Sequence, residues 1–293
     1  MSLPIHPPEP LVLRGEPVVA RVYEELQRCI ASRVTSPRLV AILANDREES
    51  RTYLRKKAEA AARVGMRFDL LEMPRAEWTT AACIHRLTVL NRDPDVHGVI
   101  MQLPLAEGID SDAVLAMINP RKDVDGMHPA NTGASLLAFP GLRPATAKAI
   151  IALLAHYDIP LAGKRAVIVG RSRIVGKPLI GMLLEANATV TICHRQTRDL
   201  ASETLRAELL IVATGTPGLI TADMVADGAV VVDTGWSRID GKIRGDVDPV
   251  AFARTRAYAP VPGGVGPVTV AMLLANTVEA WLLQEGTHRS LPV

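Results

Sequence analysis

Aromatic side chains are scarce in this chain: three tryptophans, four tyrosines and three phenylalanines among 293 residues. Charge of one sign is lacking too, with 33 basic residues against 31 acidic ones and a formal net charge of +2. Few stacking platforms and no one-sided positive field leave little with which to hold a polyphosphate strand, so nucleic acid is not an expected partner. Cysteine is equally sparse. Cys29, Cys83 and Cys193 are odd in number, far apart and without a CxxC pair. That pattern argues against a disulfide framework and suits a reducing compartment. The first 16 residues are proline-rich and contain no long apolar run, so they read as neither a secretory signal nor a membrane anchor. A cytoplasmic location without a membrane partner is the expectation.

What the chain does have is apolar substance. At 48% hydrophobic residues over this length, it can bury a sizeable core, and its length suggests two globular units. Short apolar runs of strand length, at residues 39–44, 98–103, 165–170, 189–193, 209–213 and 229–233, alternate with stretches of helical period. This predicts an α/β fold built on parallel strands with crossover helices. Helices are expected over 53–64, 80–90, 146–156 and 268–283, and the first turn over 45–49. Residues 118–144 are dense in breakers (Asn-Pro, Asp-Gly, His-Pro, Asn-Thr-Gly, Phe-Pro-Gly) and read as loop or linker. The expected division is a first domain of residues 1–144 to which 268–293 return, and a second domain of residues 145–267.

The strand ending at Gly170 runs into Arg171-Ser172-Arg173-Ile174-Val175-Gly176-Lys177-Pro178, and Leu179, Met182 and Leu183 continue with helical spacing. Such a strand, glycine loop and helix can cradle phosphate, because glycine lets backbone approach closely and a helix N-terminus offers free N–H groups. The loop is not GxGxxG, and a tight turn would look the same. The next strand ends in His194-Arg195, where an NAD-binding unit usually carries an acidic residue for the ribose hydroxyls. Arg195, with Arg171, suits a 2′-phosphate, which favours NADP. Two solvated surface arginines are the alternative. Two further strand ends, Thr214-Gly215 and Asp233-Thr234-Gly235, place small residues where a nucleotide would cross the sheet edge.

Ser50, Tyr53 and Lys57 fall on one helical face near the end of the first strand. A phenol and an amine one turn apart can pass protons, although an isolated pair of this spacing is more often a snorkelling lysine beside a half-buried tyrosine. Four later motifs change that balance: Gln102-Leu103-Pro104-Leu105, Lys122-Asp123-Val124-Asp125-Gly126, the Gly170 to Pro178 loop, and Pro260-Val261-Pro262-Gly263-Gly264-Val265-Gly266-Pro267. In this order they resemble the bifunctional methylenetetrahydrofolate dehydrogenase/methenyltetrahydrofolate cyclohydrolase family, over about residues 12–281.

The resemblance implies a cleft between a folate-holding first domain and an NADP-holding second domain, and a homodimer built through the cofactor domains. It assigns proton handling in the cyclohydrolase step to Lys57, assisted by Gln102. It sets Tyr53 against the folate and gives Asp125 the pterin, whose ring N–H and exocyclic amine can pair with one carboxylate. It also places Pro262, Gly263 and Gly264 at the substrate, and Gly170, Arg171, Ser172, Ile174, Val175, Gly176, His194, Arg195, Thr214, Gly215 and Gly235 at the cofactor. An amine that moves protons near neutral pH must be shielded from water, so Lys57 is expected to be buried. Asp123, Asp125 and His128 lack the spacing of a zinc or EF-hand site, and no catalytic metal is expected.

Several positions depart from the family pattern. Ala145, Ala147 and Ala149 stand where a P-C-T-P-x-G motif is usual, which should favour plain helix continuation. Asn45 replaces a common glycine, and Trp236-Ser237 replaces Ile-Asn. These leave open a dehydrogenase without hydrolase activity, a repurposed NADP-dependent paralogue, or an NADP-binding module without catalysis.

Overall fold

The computed structural model describes residues 9–287. Along the chain the elements are β1 (Leu11–Val12), α1 (Gly15–Ala31), β2 (Arg38–Leu43), α2 (Glu48–Arg63), β3 (Arg67–Glu72), α3 (Thr80–Arg92), β4 (Gly98–Met101), α4 (Ser111–Leu115), α5 (Pro129–Leu136), α6 (Ala145–His156), β5 (Arg165–Val169), α7 (Gly176–Glu185), β6 (Thr189–Cys193), α8 (Leu200–Thr204), β7 (Leu209–Val212), β8 (Val230–Asp233), β9 (Ser237–Ile239), β10 (Lys242–Arg244), β11 (Ala257–Ala259) and α9 (Val265–Gln284). The described chain separates into two compact units, residues 19–148 with 269–287 and residues 9–18 with 149–268.

In the first of these units β3, β2 and β4 form a parallel sheet in the order β3-β2-β4. Every residue of β4 is buried, as are five of the six in β2. This is why both read as continuous apolar runs. The chain leaves β2 through α2 to one side and returns to the other side as β4, so the order reverses between β2 and β4. In open parallel sheets the strand ends at such a reversal leave a crevice for ligands. Val40, Ile42, Val99 and Met101 pack with Cys83, Leu87 and Leu90 of α3 to form a core.

In the other unit six strands run in the order β1-β11-β8-β7-β5-β6, all parallel. Here the reversal lies between β5, which leads to β6, and β7 on its other side. Val167, Val169, Leu210, Val212 and Val231 are buried beneath it. The strands β9 and β10 make a separate antiparallel hairpin.

The structure departs from the sequence reading at several places. Residues 11–18 belong with 149–268 rather than with the first domain, because Leu11 and Val12 pair with Ala257 and Tyr258. An edge strand of two residues has no periodicity to reveal it. The helix α1 went unassigned although Val18, Val22, Leu26 and Ile30 are buried at four-residue spacing. Pro17 lies in the first turn of this helix, where its missing N–H costs nothing. Residues 118–144 are not all loop, since α5 begins at Pro129 with His128 as its cap. The helix α2 starts at Glu48, ahead of the expected turn's end.

Two expectations about helices agree with the structure. With alanine in place of proline and glycine, α6 runs unbroken from Ala145, and Ala145, Ala147 and Ala149 are all buried. The helix α9 is long and apolar enough to cross a membrane by length and composition, but 72% of its apolar window is buried within the protein, as in a core helix.

Candidate active site

The reversal between β2 and β4 brings together two segments far apart in sequence. Lys57 lies on the third turn of α2, and Gln102 follows the last residue of β4; the Lys57 Nζ donates to Gln102 Oε1 at 3.3 Å. The orientation of the amide is set by its other end, since Gln102 Nε2 donates to the Leu103 carbonyl at 2.7 Å. Oε1 must therefore face the lysine. A neutral oxygen can hold the amine in either protonation state, because both keep an N–H to donate. Lys57 is only 8% exposed, as an amine withdrawn from water should be.

Tyr53, one turn earlier on α2, is half-buried, and burial raises its phenol above the usual tyrosine value. It stays a protonated donor at neutral pH. Ser50, on the same face, is buried. The loop with Asp125 is fixed by its neighbour Asp123, which is fully buried. Its carboxylate accepts the N–H of Met127 at 3.1 Å and of His128 at 2.8 Å, and Asn131 Nδ2 at 2.8 Å. Asp125 itself is half-buried, and its carbonyl receives the Ala145 N–H at 3.2 Å. His128 spends its ring on the backbone: Nδ1 accepts from Ala130 and Nε2 meets the Ala116 carbonyl, which fixes the proton on Nε2. Among the described residues no three His, Cys, Asp or Glu side chains group as metal ligands.

The proposed cofactor residues gather at the strand ends of the six-stranded sheet. Gly170 closes β5 with φ +121°, and a Cβ there would collide with the Ala213 carbonyl. A Cβ on Gly176 would in turn collide with the Gly170 carbonyl. The loop between them is thus folded tightly across the β5 and β7 ends, with Ser172 Oγ accepting the Val175 N–H at 3.1 Å before α7 begins. Arg171, Ser172 and Ile174 are exposed, and Val175 is half-buried. Thr214 and Gly215 follow β7, and Gly235 follows β8. His194 and Arg195 follow β6, half-buried and exposed respectively. His194 Nδ1 accepts the Gln196 N–H, which turns the chain there and leaves Arg195 in solvent.

Pro262, Gly263 and Gly264 are on the same unit as these cofactor positions. Their loop is anchored by Gly15, whose N–H donates to the Gly263 carbonyl at 2.8 Å. Lys57, Tyr53, Gln102 and Asp125 are all on the other unit.

Sequence reasoning named Asp233 only as part of a strand end and did not single out Asp246. Asp233 and Asp246 are both buried under the strand ends. Asp233 accepts three backbone N–H groups, from Gly235, Asp246 and Val247. Desolvation by burial, with Asp246 nearby, nevertheless pushes its carboxyl up to about 6. An aspartate in the short Gly245-Asp246-Val247 segment carries no motif that would single it out.

Known proteins are similar to this chain in sequence and in fold. The catalytic-domain model of tetrahydrofolate dehydrogenase/cyclohydrolase matches residues 13–125, and the NAD(P)-binding-domain model of the same family matches residues 144–285. The bifunctional protein FolD 1 of Rhodococcus jostii is 48% identical over 258 residues, covering 87% of this chain and 86% of its own. The crystal structure of the bifunctional FolD enzyme from Campylobacter jejuni matches with a TM-score of 0.90 at 41% identity, over 93% of this chain and 99% of that one. The Trypanosoma brucei FolD, solved with NADP cofactor and an inhibitor, matches with a TM-score of 0.90 at 35% identity, over 95% and 99%. On its sheet reversals, its Lys57 and Gln102 pair and these matches, this chain belongs to the tetrahydrofolate dehydrogenase/cyclohydrolase family.

Proposed function

We propose that this chain oxidises 5,10-methylenetetrahydrofolate to 5,10-methenyltetrahydrofolate with NADP, and hydrolyses the methenyl compound to 10-formyltetrahydrofolate. The observation that carries this reading is the buried Lys57 amine held by an oriented Gln102 amide on the unit matched by the family's catalytic domain. When bound, NADP supplies the hydride acceptor. The residues present suit it: close backbone approach at Gly170 and Gly176, small residues at the β7 and β8 ends, and a solvent-facing guanidinium at Arg195 for a 2′-phosphate.

For hydrolysis, water adds to the methenyl carbon. Lys57 takes a proton from the new hydroxyl and returns one to N5 as the bond from that carbon to N5 breaks, leaving the formyl group on N10 and one proton released. Gln102 holds the amine in place, Tyr53 packs against the folate as a neutral phenol, and Asp125 pairs with the pterin. Pro262, Gly263 and Gly264 supply flat backbone to the substrate. Gly170, Arg171, Ser172, Ile174, Val175, Gly176, His194, Arg195, Thr214, Gly215 and Gly235 hold the cofactor. We also infer a cytoplasmic homodimer, supported by family membership and by three free cysteines. Light scattering on the purified protein tests the dimer.

The deciding assay follows absorbance with 5,10-methylenetetrahydrofolate plus NADP or NAD, and separately the decay of preformed 5,10-methenyltetrahydrofolate. NADP-dependent oxidation together with enzyme-dependent decay is expected. Oxidation without decay would reduce the protein to a dehydrogenase, and neither reaction would overturn the reading.

A further inference from the structure

Past the β9 and β10 hairpin, the chain threads Gly245, Asp246 and Val247 beneath the ends of β7 and β8. Asp246 is completely buried there. Three donors converge on its Oδ2: the Thr214 N–H at 2.6 Å, the Thr214 hydroxyl at 2.9 Å and the Gly215 N–H at 2.9 Å. The Ser237 hydroxyl donates to the Gly215 carbonyl at 3.1 Å, so the same loop is gripped at its carbonyl as well. Asp246 is itself held from behind. Its N–H donates to Asp233 Oδ1 at 3.0 Å, and the Val247 N–H to Asp233 Oδ2 at 3.0 Å. Its other oxygen, Oδ1, is buried without a hydrogen-bond partner against Gly235, where a Cβ would collide with the carboxylate.

Two carboxylates this close and this deep are costly to a fold, and turns of this length close without them. The cost is consistent with a demand on loop geometry. Three hydrogen bonds accepted by one oxygen hold Thr214 and Gly215 in a single arrangement, and a cofactor loop that is already ordered binds without a further loss of entropy.

We propose that Asp246 is a positioning residue for NADP, holding the Thr214 and Gly215 loop in its binding form with Asp233 as the brace. This rests on the cofactor positions assigned above. The loop's N–H groups are committed to Asp246, so it meets the cofactor with its outward face.

The test is the KM for NADP and kcat at saturating NADP in Asp246→Ala and Asp246→Asn, with Arg195→Ala alongside. Asp246→Ala should raise KM about tenfold with kcat within about threefold of the parent, because binding of a disordered loop costs affinity and not turnover once the site is filled. Asp246→Asn keeps an acceptor oxygen and should return KM to within about fivefold of the parent. A loss of folded protein would lower kcat and leave KM alone, and that result, or an unchanged KM, overturns the proposal. So does Asp246→Asn failing as badly as Asp246→Ala. If Arg195→Ala leaves KM unmoved, the cofactor assignment itself fails and this inference falls with it.

Discussion

Asn45 Nδ2 donates to the Pro104 carbonyl at 2.7 Å, while Asn45 Oδ1 accepts the Arg47 N–H at 2.9 Å. One buried amide thereby ties the entrance of α2, which carries Tyr53 and Lys57, to the loop that carries Gln102. The family pattern read from the sequence has glycine here, which could make neither side-chain bond, so this asparagine braces the segments that carry Lys57 and Gln102. Asn45→Gly leaves the Pro104 carbonyl without that donor and should cost about 1–3 kcal/mol of stability. Hydrolysis should fall about fivefold with hydride transfer within about twofold, since only the Lys57 and Gln102 spacing is disturbed. Equal rates in parent and variant would show the amide to be a loop brace without catalytic consequence.

Lys57→Met keeps the length and burial of the side chain and removes its proton. Decay of methenyltetrahydrofolate should drop by about 100-fold or more, the usual scale for losing a positioned acid-base group, while NADP reduction from methylenetetrahydrofolate falls far less. Parallel loss of both would contradict the role given to Lys57.

Arg195 is exposed at the end of β6. Arg195→Ala should weaken NADP by about tenfold or more and leave NAD within about twofold, because only the 2′-phosphate distinguishes them. Titration at low and high salt checks the charge component, which should shrink as salt rises.

The carboxyl of Asp233 at about 6 lies above its ordinary 3.8. The native chain therefore holds this proton more tightly than the unfolded chain, so the stabilisation is fully present below the ordinary value and is lost as pH rises through about 6. Asp233→Asn cannot titrate. Melting both proteins at pH 4.5 and 7.5 should show the parent losing on the order of 2 kcal/mol relative to the variant at the higher pH. A constant difference across that range would mean that Asp233 is ionised throughout.

The strands and the glycine loop were legible in the sequence because fully buried parallel strands leave continuous apolar runs, as in β4, β5, β7 and β8. Lys57 and Tyr53 were legible as neighbours from helical spacing. That Gln102 reaches Lys57 followed only from family resemblance, since spacing cannot say which strand end adjoins β2. The strand β3 was missed because its side chains are exposed or half-buried, so that Arg67-Phe68-Asp69-Leu70-Leu71-Glu72 offers no apolar run. The Asp233 and Asp246 bracket was illegible for a different reason: Asp233 showed only as the end of a strand, and Asp246 looks like an ordinary turn residue until the fold buries the two together.

The helix α9 closes the described chain, and its Asn276 Nδ2 donates to the carbonyls of Val124 and Arg143, each at 2.8 Å. Those acceptors flank the Asp125 loop at both ends. Translation delivers their donor after every other described element, so the unit of the β3-β2-β4 sheet, made early in synthesis, waits for the last helix before the Asp125 loop gains these two bonds. The unit of residues 149–268 has no such debt to later sequence, apart from its N-terminal strand already made. A chain cut before residue 276 therefore keeps every strand of both sheets and loses the amide that joins Val124 to Arg143.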